Sequence, residues 1–322
     1  MGGRLIVSLD FELHWGVRDH SSVEDYAENL LGVRQAIPAL LAEFQRRGVR
    51  ATWATVGFLL YRTRRELLDA LPSELPTYAD PALDPYRTLE GIGVDEDADP
   101  FHFGESLARA IVETPGQELA THTFSHFYCM EPGQTKAQFS ADLAAAVVAA
   151  ARFGVPPRSL VFPRNQANLD YLDVLARHGL ETYRGNPPLF AYRAVAGADE
   201  RPRRRAVRLL DAYLPLDRLV ERRSPRGRTD SPVDVPGSIF LRPVPRGRLR
   251  YLERARLARI VGALRRAARD GGDVHLWWHP HNFGTNLRAN LEFLGKILDE
   301  FEALRRRYGI QSVSMAEAAR PA

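Results

Sequence analysis

The stretch from Leu5 to Gly57 constrains this chain more than any other. An apolar run, Leu5 to Leu9, is followed by an amphipathic segment from Val23 to Arg47 that stops at Gly48, and then by a second apolar run, Arg50 to Gly57. The first reads as a buried strand ending at Asp10, the second as a helix returning the chain, the third as another strand. Strand, helix, strand in that order is the signature of a right-handed parallel crossover.

The rhythm continues. Residues 118–122, 159–163, 238–241 and 273–278 read as strands, 136–153, 169–178, 251–269 and 288–308 as helices, and 310–313 as a closing strand. Two stretches break the pattern: 72–100, rich in Pro, Asp and Gly, and 201–230, with ten arginines against four acidic residues. Both are expected as insertions or loops on one domain spanning residues 1–322. The 322 residues, 45% hydrophobic, suffice for one large α/β core. Asp10, His122, Arg164 and His279 each stand where a strand gives way to a loop, and in a parallel barrel those ends converge on one face. The expected fold is therefore an irregular parallel (β/α) barrel, seven-stranded.

The residues at those ends carry chemistry. Asp10 and Glu12 project from the same face of a strand, about 7 Å apart along the chain. One carboxylate can ligate a cation while the other takes a proton from water. His122 and His126, four apart, put both rings on one side of a helical or turn-like segment, within reach of one ion. Two imidazoles and a carboxylate leave coordination positions open, the mark of a catalytic zinc-type site, and the same set suits ferrous iron. In the last strong strand His275, Trp277 and His279 face one way, and Val274, Leu276 and Trp278 the other. His279, with an unperturbed pKa near 6.5, can protonate a departing amine.

Spread along the chain, these segments resemble the polysaccharide deacetylases, carbohydrate esterase family four. Ser8–Glu12 resembles the first motif, Arg50–Gly57 the second strand, Glu118–His126 the metal-histidine motif, Phe162–Asn165 the third motif and Leu276–His279 the last. The resemblance implies Asp10 as catalytic base, His122 and His126 as metal ligands, Arg164 as the group that orients the base, and His279 as general acid. Glu12 takes the remaining metal position, although many members have two adjacent aspartates there and here Phe11 intervenes. Arg164 follows Pro163, whereas the family has its arginine before a proline. Tyr183–Asn186 sits near the position of the family's tryptophan-containing motif without matching it.

The function this implies is removal of an N-acetyl or N-formyl group from an amino sugar or a sugar-containing precursor, with one divalent ion, Zn2+ first and Co2+, Mn2+, Fe2+ or Ni2+ as substitutes. Asp10 would take a proton from water, a backbone N–H near Asn165 would support the oxyanion, and His279 would protonate the amine. Trp15, Asn165, His281 and Trp277 are the candidate substrate contacts. A non-sugar amidase and a non-catalytic carbohydrate-binding relative are the alternatives. Single Asp10→Asn or His279→Ala changes are expected to cut turnover by about 10²–10⁴-fold without unfolding the protein.

Composition narrows the remaining classes. The net charge of +4 reflects an excess of arginine, which permits an anionic substrate, nucleotide- or lipid-linked, but no recognition motif accompanies it that would point to nucleic acid. Cys129 is the only cysteine and is expected as a small packed residue. No secretory h-region or membrane span is evident, so a soluble cytoplasmic protein is expected.

Overall fold

The structure, a computed structural model, describes residues 2–214 and 231–320. Nine strands form one sheet: β1 (Arg4–Phe11), β2 (Ala51–Thr55), β3 (Gln117–Thr121), β4 (Ser159–Val161), β5 (Thr182–Arg184), β6 (Val233–Asp234), β7 (Ile239–Phe240), β8 (Asp273–Trp278) and β9 (Gln311–Val313). Their order is β6-β5-β4-β3-β2-β1-β8-β7, with β9 beside the start of β1. Among the described residues all pairings between these strands are parallel.

The parallel β/α barrel is as expected, but the path holds eight strands rather than seven. The strands absent from the sequence reading are β5 and β6, and β6 is distinct from β7 because the segment between β5 and β8 is in two pieces. Val233, Val235 and Gly237 donate their N–H groups to Glu181, Tyr183 and Gly185 at 2.8, 2.9 and 3.0 Å, whereas Ser238 and Leu241 donate to His275 and Trp277 at 3.0 and 2.8 Å. The chain steps from one edge of the sheet to the other at Gly237–Ser238, and the pieces on either side are β6 and β7.

Side-chain alternation explains what lies on each face. From β1, Leu5, Val7, Leu9 and Phe11 join the large core under the helices, while Ile6 joins a smaller cluster with Ala54, Val161, Val233 and Val235. Met315 and Ala318, on the short helix Met315–Ala318, close that cluster. The helix Val23–Arg47 begins at Ser22, whose hydroxyl accepts from the Asp25 N–H, and ends at Gly48 in the left-handed conformation (φ 60°) that glycine adopts most readily. Its Val33, Ile37, Leu40 and Phe44 are buried, each worth about 1.5–3 kcal/mol relative to exposure. Ile6 points to the apolar cluster, and Ser8 and Asp10, further along the same face, carry polarity toward the C-terminal strand ends.

Residues 72–100 form 3-10 turns at Pro81–Leu83 and Pro85–Gly91 joined by loops. Of the expected 201–230 insertion, Pro202–Asp211 is a helix, and residues 215–230 lie outside the described residues. The helix Glu105–Glu113 and strand β5 were not expected from the sequence. Among the described residues no helix is long and apolar enough to cross a membrane.

Candidate metal centre and the cavity beside it

At the C-terminal ends of β1 and β3, Glu12, His122 and His126 meet. The Nε2 atoms of His122 and His126 lie 3.3 and 3.2 Å from one oxygen, Oε2 of Glu12, and all three side chains are buried. Donors held at about 2.0–2.2 Å around one tetrahedral ion stand roughly 3.3 Å apart, so the spacing fits a shared cation. The His122 Nδ1 faces the Val161 carbonyl at 2.8 Å and donates to it, which leaves the Nε2 lone pair directed at the cluster. The His126 Nε2 is buried without a hydrogen-bond partner among the described residues, and burial pushes its pKa down to about 4. Burial opposes ionisation of Glu12, but His279, His122 and His126 outweigh it and hold the carboxyl well below the usual range. A neutral imidazole at His126 and an ionised carboxylate at Glu12 are the states that a metal requires of those ligands.

The segment between the histidines is a turn, not a helix. Thr123 and His126 have φ of 65° and 62°, an uncommon region for a β-branched residue. Hydrogen bonds hold it there. The Thr123 hydroxyl accepts from the Phe127 N–H at 2.7 Å, and the buried Asp142 carboxylate accepts from the N–H groups of Phe124 and Ser125, at 2.7 and 3.1 Å, and from the Ser125 hydroxyl. Asp142→Ala would orphan these buried donors, and we expect a loss of about 2–4 kcal/mol in urea unfolding. An unchanged midpoint would mean that the turn holds itself.

Glu12 is shaped by an absence. A Cβ on Gly16 would stand 2.0 Å from the Glu12 Cδ and 2.1 Å from its Oε1. Gly16→Ala must therefore push the carboxylate off the histidines. We expect metal affinity to fall by about tenfold or more, measured by titration against a chromophoric chelator.

Asp10 lies beside this cluster and is clamped by an arginine that sequence reasoning missed. Arg184, fully buried on β5, donates from Nη1 to Oδ1 of Asp10 at 2.7 Å and from Nη2 to Oδ2 at 2.6 Å. Its Nη2 also reaches Oδ1 of Asn165 at 2.9 Å, its Nη1 the Ser8 hydroxyl at 3.0 Å, and its guanidinium lies 4.3 Å from the Trp277 ring centre. Ser8 donates in turn to His275 Nε2 at 2.8 Å, and His275 Nδ1 donates to the Pro236 carbonyl at 3.1 Å. This requires a neutral His275, which burial, reinforced by Arg184, secures by pushing its pKa down to about 3. Burial alone would raise the Asp10 carboxyl; Arg184, helped by His122 and His279, instead holds it below the ordinary range.

The expected partner, Arg164, does not touch Asp10. Pro163 opens a tight turn in which Arg164 and Asn165 adopt φ of 54° and 51°. The Arg164 guanidinium sits over the Tyr128 ring and pairs with Asp19 and Glu131. The N–H of Asn165 donates to the Phe162 carbonyl at 2.9 Å, so it is engaged within the turn instead of facing an oxyanion.

The remaining candidates divide. His279, about one-quarter exposed, places Nε2 3.5 Å from Glu12 Oε1 and 3.7 Å from Asp10 Oδ2, while its Nδ1 lies 3.3 Å from Asn282 Oδ1. His281 is buried and stacked on His279 at 4.9 Å, its Nδ1 4.0 Å from Glu12; burial, then His279, pushes its pKa down to about 3. Trp277 and Asn165 line a cavity of about 660 Å³ next to the cluster, with Phe240, Gly185 and Arg242 among its other walls. Trp15 does not line it. It is fully buried against Phe58, with Nε1 donating to the His102 carbonyl at 2.9 Å. Cys129 is buried too, and burial holds its thiol protonated.

No family model matches the chain, and no curated protein matches it in sequence. Solved structures match it in fold. A Mycobacterium smegmatis protein assigned as a polysaccharide deacetylase superposes with a TM-score of 0.61 at 15% identity, over 99% of this chain and 90% of its own. A Pseudomonas aeruginosa PAO1 protein with the same assignment gives 0.57 at 11% identity, over 98% and 89%. The 4-alpha-glucanotransferase of Thermococcus litoralis gives 0.55 at 12% identity, over 99% of this chain but 40% of that enzyme. At such identities the likeness is one of fold: the chain has the barrel of the polysaccharide deacetylases.

Proposed function

We propose that this chain is a metal-dependent hydrolase that removes an N-acetyl or N-formyl group from an amino sugar. The observation that carries the reading is the convergence of two imidazoles and one carboxylate, Glu12, His122 and His126, beside a second carboxylate, Asp10, at the mouth of the barrel. A divalent cation held there, Zn2+ by donor type or another first-row ion, would polarise the amide carbonyl and acidify an attacking water.

The chain's own residues supply the rest. Asp10, ionised and fixed in plane by the two Arg184 hydrogen bonds, takes the water's proton. The Ser8–His275 relay keeps Arg184 from swinging away. His279, steadied through Nδ1 by Asn282, presents Nε2 to the space above both carboxylates and donates a proton to the leaving nitrogen. Trp277, on the cavity wall, offers an aromatic face to the sugar.

The test is a side-by-side panel of N-acetylated and N-formylated amino sugars and of non-sugar amides, with Zn2+, Co2+ or Mn2+ added, read by release of acetate or formate. We expect release from sugar amides that chelation stops and metal restores. Release confined to non-sugar amides would move the substrate class, and sugar binding without release under any of the metals would mark a non-catalytic relative.

A further inference from the structure

Beyond Trp277 the cavity carries charge that amide hydrolysis does not use. Arg164, Arg193, Arg205, Arg208, Arg242 and Arg259 line it against three carboxylates. Each carboxylate is already held: Asp19 by Arg164, Glu200 by Arg208, and Asp211 by Arg259 at 2.9 Å and the Tyr192 hydroxyl at 2.8 Å. Arg242 differs. Of these arginines only it and the exposed Arg193 have no acidic partner among the described residues, and Arg242 is the more buried of the two; its guanidinium stands 5.6 Å from the Phe240 ring centre, with Arg208 among its charged neighbours. Phe240 lies 4.6 Å from Trp277 and 5.9 Å from His279, ring centre to ring centre. The unpaired cation is thus one aromatic ring beyond the histidine at the cluster.

A partly desolvated guanidinium next to a like charge is costly unless an anion joins it. With Glu131 pairing Arg164 from behind the wall, six cations meet four anions among the described residues, an excess of two, more than one carboxylate would balance. A phosphoryl group, carrying about −1.5 to −2 near neutral pH with several acceptor oxygens, matches both the charge and the planar fork of arginine.

We propose that the basic half of this cavity binds a phosphoryl group carried by the sugar substrate, with Arg242 as its principal contact. The inference rests on the amino-sugar reading above. It is tested on the purified full chain by calorimetric titration with N-acetylglucosamine 1-phosphate and with N-acetylglucosamine.

The phosphorylated sugar should bind about tenfold tighter or better in low salt, as a charge-assisted contact would give. Arg242→Gln should shrink that preference to about twofold, and Arg242→Lys should keep most of it. UDP-N-acetylglucosamine and a vesicle-borne polyprenyl diphospho-N-acetylglucosamine carry the same chemistry from two sources. Tighter binding of either than of the monophosphate supports the inference and identifies the source. Equal affinity for the two simple sugars, or a preference untouched by Arg242→Gln, overturns it. Acyl release from neutral sugars without phosphate preference would overturn this inference and leave the hydrolase reading standing. Phosphate preference without release would do the reverse.

Discussion

Replacing Arg184 with methionine is expected to cost about 3–5 kcal/mol of stability and most of the turnover. The side chain is fully buried and makes two short hydrogen bonds to Asp10, so its removal leaves an ionised carboxylate in the interior with no cation on its plane. Asp10 would then respond by taking up a proton, since burial alone pushes its pKa upward. A protonated Asp10 cannot serve as base at neutral pH. Urea unfolding and acyl release measured on the same preparations check both halves. Arg184→Lys restores the charge but not the two-pronged geometry, and it should recover stability more than turnover.

Asp10→Asn is expected to lower turnover by about 10²–10⁴-fold, the usual contribution of a positioned base. The clamp adds a consequence that sequence reasoning did not foresee. The asparagine leaves the Arg184 charge buried without its partner, so this variant should also unfold at lower urea. His279→Ala provides the contrast. That ring is partly exposed and its contacts to Asp10 and Glu12 are 3.5 Å or longer, so turnover should fall comparably with little change in the unfolding midpoint. If Asp10→Asn kept near-normal turnover, the base would have to be sought elsewhere.

These contrasts also show where sequence reasoning reached and where it stopped. Long elements with strong periodicity, such as Val23–Arg47 and Asp273–Trp278, have the bounds that the pattern predicts. The grouping of Glu12, His122 and His126 was legible because Glu12 and His122 follow readable strands and His126 comes four residues after His122, a spacing that suits a second ligand. Arg184 was not, because β5 is three residues long and gives no periodic signal. Arg164 drew attention by resemblance, yet the positive φ values after Pro163 turn it toward Asp19 and Glu131. Trp15 was misjudged from its closeness in sequence to Glu12, since the tight turn Leu13–Gly16 tucks it into the core. The steric role of Gly16 against Glu12, and the capping of the histidine turn by Asp142, depend on contacts that spacing cannot reveal.

The measurement closest to the centre of the mechanism is a Zn2+ titration of the chelator-stripped wild-type chain and of His126→Ala, with Co2+ as competitor. One ion per wild-type chain, and affinity weakened by about tenfold or more in the variant, is the expected result. A wild-type chain that takes up no ion, or a variant that binds as tightly as the wild type, would contradict a metal centre at Glu12, His122 and His126.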